Sequence, residues 1–478
     1  MRRTLIALLG LMLAAGIAPV TAEPANGPAW HFHRTEHFTF IYRLEHREAV
    51  DELVSFAEEV YGQVTGYFQT YPDHIPTVVY GEGDLANGYY TSAPPQHIGL
   101  YVSQPTMPTL DVRAESWLRL LFVHEVTHFV HANHEPGFFD FLGTLFGRTL
   151  TGLSLGFTPN WAAEGIAIST ETAFTSGGRG RNPLFEMQYK APIVEDEMWS
   201  LWQSGYDSYA SPPGGRYYVG GYFFWDYLSE RYGQEFTAEF MRNYSAFPFL
   251  GIWLPIGTTT DEGIGRLYEQ AVDDLAHRYA DSASRRAAPR ISPAGDADYH
   301  LPVPTERGLY LYRSRPDRVP AIVSYDPERG TEEVVLEMRL TDSASWSVTP
   351  DGDTIVFATL EVDGLFPDED AIYSNIYRLD VASGAIRRIT RGGGYHQPVL
   401  APGTDTIIAI AREGSAHALV GIDTASGERT RTLVTADDLR LYTPSISPDG
   451  STAVVVANQQ GSQGLLLVDL ESGESETV

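Results

Sequence analysis

The sequence predicts a multidomain protein in which an α+β domain is followed by an all-β domain built from repeated sheets. Strand-like and helix-like segments mix before residue 285, whereas short strands alternate with turns from about residue 306 to residue 478. One turn sequence recurs about every 43 to 54 residues in the second part. The pattern His124-Glu125-Val126-Thr127-His128 lies in an apolar stretch of the first part.

The N-terminus has the three parts of a secretory signal peptide. Arg2 and Arg3 follow the first methionine, an apolar run extends from Leu5 to Ile17, and a cleavage-site pattern ends at Ala22. The apolar run is short for a helix that spans a membrane. We therefore assign residues 1–22 to a signal peptide. We expect a periplasmic or secreted bacterial protein with no transmembrane segment after signal cleavage.

Composition excludes two classes of partner. The formal net charge is -29, which repels nucleic acid and anionic membrane surfaces, so we expect neither as a partner. The chain contains no cysteine, so no disulfide stabilises it after export. Stability must come from core burial and from any bound metal.

Strands precede helices in the first domain, which we assign to residues 30–285. Apolar periodicity predicts strands over 37–42, 77–80 and 98–102 and helices over 46–69, 217–244 and about 262–280. No Gly or Pro interrupts residues 112–135, which predicts one mostly buried helix. Glu164 lies in a further predicted helix.

The buried helix carries a candidate metal site. Positions i and i+4 lie on one helix face, so the imidazoles of His124 and His128 can bind one metal ion. Glu125 lies about 100° further round the helix, where it can take a proton from a water molecule and later deliver it. A buried Glu without a partner is costly, whereas a site for one Zn²⁺ ion explains all three residues.

A zinc site of this kind needs a third protein ligand, and the sequence offers two candidates. The first is Glu164, within Trp161-Ala162-Ala163-Glu164-Gly165-Ile166-Ala167. The second is His134, whose spacing matches the H-E-x-x-H-x-x-G-x-x-H pattern of metzincins. This chain has His131 where that pattern has Gly, and a non-Gly residue makes the required sharp turn costly.

The residues around Glu164 resemble the W-x-x-E-G-x-A helix of the gluzincins, zinc metallopeptidases related to aminopeptidase N. The resemblance implies that Glu164 is the third zinc ligand and that Glu125 is catalytic. The segment from Tyr218 to Leu228 resembles the Y-x-x-G-x-x-x-x-x-Y-L segment of that family. This implies that the Tyr218 phenol donates a hydrogen bond to the oxyanion formed during hydrolysis.

One departure from that family bears on the substrate. The G-x-M-E-N segment that binds a free amino terminus in those aminopeptidases is absent, and the corresponding region reads Ala86-Asn87-Gly88-Tyr89-Tyr90. We therefore expect an endopeptidase that acts on peptides or proteins rather than an aminopeptidase. We also expect residues 98–102 to be the edge strand that aligns an extended substrate by backbone pairing.

The second domain carries in-phase repeats. Residues 286–305 contain several prolines and a glycine and are predicted to be a linker. After it, an Asp-x-x-x-Gly turn starts at each of four aspartates, and Pro-Asp-Gly or a degenerate form of it lies between them: Asp326, Asp380, Asp423 and Asp469. These residues resemble the TolB-type β-propeller repeat, which implies propeller blades over 306–478.

Only three to four blades are predicted, whereas propellers close with four to eight. We therefore expect an incomplete propeller that belongs to a longer protein or closes with a partner. Together the two domains predict an exported zinc metallopeptidase whose propeller docks or filters substrate. The alternative is an envelope scaffold whose propeller binds a protein partner and whose peptidase domain is vestigial.

Overall fold

The computed structural model describes most of the chain. The described residues are 29–81, 83–92, 95–106, 114–134, 141, 144–145, 157–209, 212–233, 235–246, 248–283, 297–363, 371–414 and 416–478. The predicted signal peptide at 1–22 lies outside them, as do residues 286–296 of the predicted linker. Each helix within these ranges is too short or too polar to cross a membrane.

A five-stranded sheet begins the described chain. Its strands are β1 (Trp30–Arg34), β2 (Phe38–Arg43), β3 (Ile75–Tyr80), β4 (Gly88–Thr91) and β5 (His97–Tyr101). The order across the sheet is β1-β2-β3-β5-β4. The three central strands are parallel, and β1 and β4 pair antiparallel at the two edges.

The prediction that residues 98–102 form the edge strand is wrong. β5 lies between β3 and β4, and its Ile98 and Leu100 are fully buried. The edge belongs to β4, whose four residues are all partly exposed. A strand of four residues is too short for its alternation to be recognised in the sequence.

Helices pack on this sheet and on one another. They are α1 (Arg47–Phe68), α2 (Trp117–Ala132), α3 (Asn160–Phe174), α4 (Pro183–Val194), α5 (Leu201–Ser204), α6 (Arg216–Tyr232), α7 (Glu235–Ala246), α8 (Trp253–Thr260), α9 (Ile264–Arg278) and α10 (Ala280–Ala283). The single helix predicted over 217–244 is two helices, α6 and α7. The break lies at Gly233, whose φ of 86° ends α6.

The helix that carries His124 and His128 is buried as predicted. Every residue of α2 except Arg119 is buried, in a core shared with the sheet and α1. Ser116 caps its N-terminus, because the Ser116 side chain accepts a hydrogen bond from the Arg119 N–H at 3.0 Å. The Ser116 hydroxyl in turn donates to Glu52 on α1 at 2.6 Å.

Two glycines let α3 and α6 approach closely. A Cβ atom on Gly165 of α3 would overlap the backbone carbonyl of Gly221 on α6, and a Cβ on Gly221 would overlap the carbonyl of Trp161. The same two helices carry Glu164 and Tyr218. Their backbone contact therefore sets how close these two side chains come.

Four antiparallel four-stranded sheets follow and form a propeller-like region. The first contains β6 (Asp298–Thr305), β7 (Gly308–Arg315), β8 (Arg318–Asp326) and β9 (Thr331–Glu337); the second β10 (Trp346–Val348), β11 (Thr354–Asp363), β12 (Ala371–Asp380) and β13 (Ala385–Arg388). The third contains β14 (Tyr395–Leu400), β15 (Thr406–Glu413), β16 (Ala416–Asp423) and β17 (Arg429–Thr435); the fourth β18 (Leu439–Ile446), β19 (Thr452–Gln459), β20 (Ser462–Asp469) and β21 (Ser475–Thr477).

The predicted repeat corresponds to these four sheets, which we call blades. Each Asp-x-x-x-Gly turn joins the third and fourth strands of a blade, and its Gly has positive φ: Gly330, Gly384, Gly427 and Gly473. Apolar clusters join the first blade to the second, the second to the third, and the third to the fourth. The blades therefore stack in sequence order.

The first blade begins earlier than the sequence predicts. Residues 298–305 of the predicted linker form β6, the first strand of that blade. Prolines at 302 and 304 suggested a linker. β6 accommodates Pro302 in a register shift between His300 and Val303, and Pro304 pairs with Leu309 in a strand at the edge of its sheet, where proline is tolerated.

The contact between α3 and α6 makes Gly165→Ala a test of this packing. The added methyl group must push the helices apart, and we expect a loss of about 1–3 kcal/mol in the free energy of unfolding. Gly62→Ala on α1 is the control, because its methyl group meets open space and the helix gains up to about 1 kcal/mol. Urea denaturation followed by tryptophan fluorescence measures both, and equal midpoints for the two variants would contradict the packing.

Candidate metal centre

Three side chains converge between α2 and α3. Among the described residues, His124, His128 and Glu164 form a buried or half-buried group whose potential ligand atoms all lie within 4.8 Å of one another. The Nε2 atoms of the two histidines are 3.1 Å apart. Glu164 Oε2 lies 3.3 Å from Nε2 of His124 and 3.6 Å from Nε2 of His128.

The two separations from Glu164 match those of a zinc site, and the separation between the two Nε2 atoms is slightly shorter. Nitrogen and oxygen ligands at about 2.0–2.2 Å in a tetrahedron lie about 3.3–3.6 Å from one another. Two imidazoles and one carboxylate are also a donor set that zinc favours, with one position left for water. Glu164 Oε2 is buried and accepts no hydrogen bond, as expected of an atom that binds a cation.

The electrostatics of this centre also favour a cation. Its charged side chains within the described residues are the carboxylates of Glu125, Glu164 and Glu171 and the guanidinium of Arg179. Although burial and Arg179 oppose protonation of His124, the carboxylates of Glu164 and Glu171 raise its pKa to about 9. With all three carboxylates ionised and both imidazoles neutral, as metal ligands are, one guanidinium leaves two negative charges, which a divalent cation would balance.

Glu171 and Arg179 orient His124, and sequence reasoning missed both. Glu171 is fully buried, and its Oε2 accepts a hydrogen bond from Nδ1 of His124 at 2.8 Å, which leaves Nε2 facing Glu164. Arg179 binds both carboxylate oxygens of Glu171, at 2.8 and 2.9 Å. These contacts outweigh the effect of burial and lower the pKa of Glu171 to about 2.

A positional signal for Glu171 was present in the sequence. It lies seven residues after Glu164, two helical turns along, and therefore on the same face of α3. Arg179 lies in a short 3₁₀ turn after this helix. No spacing rule connects that turn to His124.

Glu125 lies beneath the edge strand. It is buried on α2, and burial raises the pKa of its carboxyl group. A Cβ atom on Gly88 of β4 would lie 2.7 Å from Oε1 of Glu125, so a larger residue there would displace the carboxyl group or the strand. The Oε2 atom is buried and accepts no hydrogen bond. Glu125 is thus placed to exchange protons with a molecule in the cavity.

Tyr218 lies in the first turn of α6 and lines the same cavity as the three candidate ligands. The guanidinium of Arg179 lies 5.5 Å from the centre of its ring. Burial, followed by the Glu164 carboxylate, raises the pKa of Tyr218, so its phenol stays protonated at neutral pH. A protonated phenol is a hydrogen-bond donor.

His134 does not belong to the cluster. It is buried, and its Nδ1 forms a hydrogen bond with the hydroxyl of Thr70, just after α1. Burial lowers its pKa to about 4. Glu164 rather than His134 therefore supplies the third candidate ligand atom.

A cavity of about 640 Å³ opens over these residues. One wall is the edge strand and the residues before it, Ala86 to Tyr90. Other walls come from α2, α3, Phe185 and Gln188 of α4, and the turn from Pro213 to Gly215.

No family model matches the sequence, and no curated protein matches it. Among solved structures, similar ones include TolB from Acinetobacter baumannii (TM-score 0.32, 19% identity, covering 38% of this chain and 44% of that chain). An oligogalacturonate lyase in complex with manganese has TM-score 0.28 and 18% identity, covering 35% of this chain and 49% of that chain. A prolyl endopeptidase has TM-score 0.28 and 15% identity, covering 38% of this chain and 29% of that chain. The chain thus spans half or less of each structure.

The choice of third ligand is tested by Glu164→Gln and His134→Asn. We expect Glu164→Gln to lose most of its zinc during gel filtration, because a neutral amide replaces the anionic ligand. His134→Asn should keep one zinc per chain. Elemental analysis of the two purified variants measures this, and retention of zinc by Glu164→Gln together with its loss from His134→Asn would reverse the assignment.

Proposed function

We propose that the protein is an exported zinc-dependent endopeptidase of the gluzincin type. The observation that carries the proposal is the convergence of His124, His128 and Glu164, with Glu125 and Tyr218 lining the same cavity. Two imidazoles, a carboxylate ligand, a separate carboxyl group and a phenol are the groups that metal-assisted peptide hydrolysis requires.

Each residue has one role in this proposal. A zinc ion bound by His124, His128 and Glu164 would polarise the carbonyl of the scissile bond and lower the pKa of a water molecule. Glu125 takes a proton from the attacking water and delivers it to the leaving amine. Tyr218 donates a hydrogen bond to the oxygen that becomes negatively charged.

The edge strand β4 provides the surface that aligns a substrate. Its backbone pairs with β5 on one side, and residues 88–90 line the cavity. An extended peptide can pair with the other side of β4, which would place a peptide bond near Glu125. β4 therefore takes the role that we expected of residues 98–102.

The composition of the cavity supports cleavage within a chain. An aminopeptidase binds the ammonium group of its substrate with a carboxylate. The carboxylates that line this cavity within the described residues are Glu125, Glu164 and Glu171, and each already has a role. Ala86 to Tyr90 contains no acidic residue. The proposed substrate is therefore an internal segment of a peptide or protein.

Two further parts of the proposal concern the propeller-like region and the cellular location of the protein. A second cavity, of about 940 Å³, lies among the first strands of the four blades and is a candidate surface for a protein partner or substrate. Export to the periplasm or medium rests on the signal peptide predicted at residues 1–22.

The role of Glu125 is tested by Glu125→Gln. The amide keeps the shape of the side chain but cannot accept the proton, so we expect zinc to be retained and kcat to fall by about 10²–10⁴. Cleavage of casein and of two peptide libraries, one with both ends blocked and one with free N-termini, measures activity and product positions. Products trimmed by single residues from free N-termini would contradict the endopeptidase assignment. A wild-type protein that binds zinc and cleaves no peptide would favour the scaffold alternative.

The role of Tyr218 is tested by Tyr218→Phe, which removes only the hydroxyl group. If the hydroxyl stabilises the oxyanion, kcat should fall by about 10²–10³ while KM changes little, because the bond forms in the transition state. Tyr227→Phe is the matched control, because Tyr227 lies on the same helix and its hydroxyl accepts a hydrogen bond from Arg231 away from the cavity. Equal effects of the two substitutions on kcat would show that Tyr218 has no special role.

A further inference from the structure

The loop between β3 and β4 leaves the N-terminal sheet and inserts against the second and third blades. At its tip, the side chain of Asp84 is 8% exposed and its Oδ1 forms an ion pair with Nε of Arg412 at 3.0 Å. Its Oδ2 accepts a hydrogen bond from the backbone N–H of Ser374 at 2.7 Å. The backbone N–H of Asp84 donates to the carbonyl of Ile372 at 2.6 Å. One residue of the loop therefore binds two blades.

Arg412 also binds the start of this loop and the segment that follows β5. Its Nη1 donates to the carbonyl oxygen of Gly81 at 3.0 Å and to Oγ of Ser103 at 3.0 Å. The Ser103 hydroxyl in turn donates to the carbonyl of Gly83 at 2.7 Å. A single side chain of the third blade thus connects three points of the N-terminal domain.

Two glycines with positive φ make this contact fit. Gly83, with φ of 80°, lies against the backbone of Ile372, and an added Cβ would lie 2.5 Å from the Ile372 carbonyl oxygen. Gly394, with φ of 59°, faces the carboxylate of Asp84, and an added Cβ would lie 2.7 Å from Oδ1. At both positions the backbone has a positive φ, which glycine adopts without strain, and both positions lie where the two domains meet.

The contact is continuous with the candidate active site. Asp84 lies four residues before Gly88, the first residue of β4 and the one that packs on Glu125. Two other blade residues bind neighbouring segments: Gln397 donates to the carbonyl of Thr106 at 3.3 Å, and Arg440 donates to the carbonyl of Ala114. Ala114 lies two residues before the cap of α2.

We propose that the propeller-like region holds the edge strand β4 at its working distance from Glu125, and that Arg412 is the positioning residue. This inference rests on the proposed function, since it assigns to β4 the alignment of the substrate. Among the described residues β4 is a short strand at the edge of the sheet with one neighbouring strand, β5, so the sheet by itself holds it weakly. The second attachment, through Asp84 and Arg412, fixes the loop that leads into it.

The test compares two full-length variants. Arg412→Gln removes the ion pair with Asp84 but keeps a polar side chain. Arg429→Gln is the matched control, because Arg429 forms an ion pair with Glu413 within the same blade. We expect Arg412→Gln to raise KM for an extended blocked peptide about tenfold with little change in kcat, because substrate and transition state lose the same alignment. Zinc content should stay at the wild-type level in both variants.

Hydrogen exchange gives a readout that does not depend on peptidase activity. In Arg412→Gln we expect amides of residues 84–91 to exchange faster than in the wild type, while those in α2 keep their rates. Unchanged exchange over 84–91, or an equal effect of Arg429→Gln on exchange and KM, overturns the inference. If the zinc-loaded wild type has no peptidase activity, the proposed function is wrong. The exchange rates of residues 84–91 then still decide whether Arg412 positions β4.

Discussion

Burial of charge at the centre of the N-terminal domain is the constraint on which the rest of this structure depends. Three carboxylates and one guanidinium surround two histidines there, in a helix that is buried almost along its whole length. Such a group is costly unless each charge is paired, and Glu171 with Arg179 pairs part of it. The Glu164 carboxylate lies at the point where His124 and His128 converge. A divalent cation at that point would complete the pairing.

The surrounding packing determines where these groups meet. Gly165 and Gly221 allow α3 and α6 to touch through their backbones, which brings the Glu164 helix and the Tyr218 helix together. Gly88 allows β4 to pass directly over Glu125. In each case the absence of a side chain lets a reactive group come close to its neighbour. A larger residue at any of these positions would force the facing groups apart.

The propeller-like region is attached to the N-terminal domain beside this centre. Arg412 contacts the loop before β4, Gln397 contacts the segment after β5, and Arg440 contacts the segment before α2. The blades therefore bind the segments that lead into two walls of the cavity. These contacts are the basis of the proposed role in shaping the site, which is separate from the proposed docking of substrate or a partner.

Much of the fold follows from periodicity in the sequence. The helix over 46–69, the buried helix that carries His124 and His128, and the recurring blade turns all have strong local patterns. Predictions were wrong where local pattern is weak: the four-residue strand β4, the break at Gly233, and the first strand of the first blade, whose prolines suggested a linker. A short edge strand forms because its neighbour offers backbone partners, and no property of its own residues reveals this.

The sequence by itself determined the chemistry that is available, because helical spacing puts His124 and His128 on one face and the residues around Glu164 mark a second helix. The choice between Glu164 and His134 was left open, since it depends on the angle between two helices and not on spacing. Tertiary structure alone brought Glu164 rather than His134 beside the two histidines, brought Arg179 to Glu171, and placed Asp84 on the blades. These are contacts between residues far apart in the chain, and packing of the buried core sets their distances.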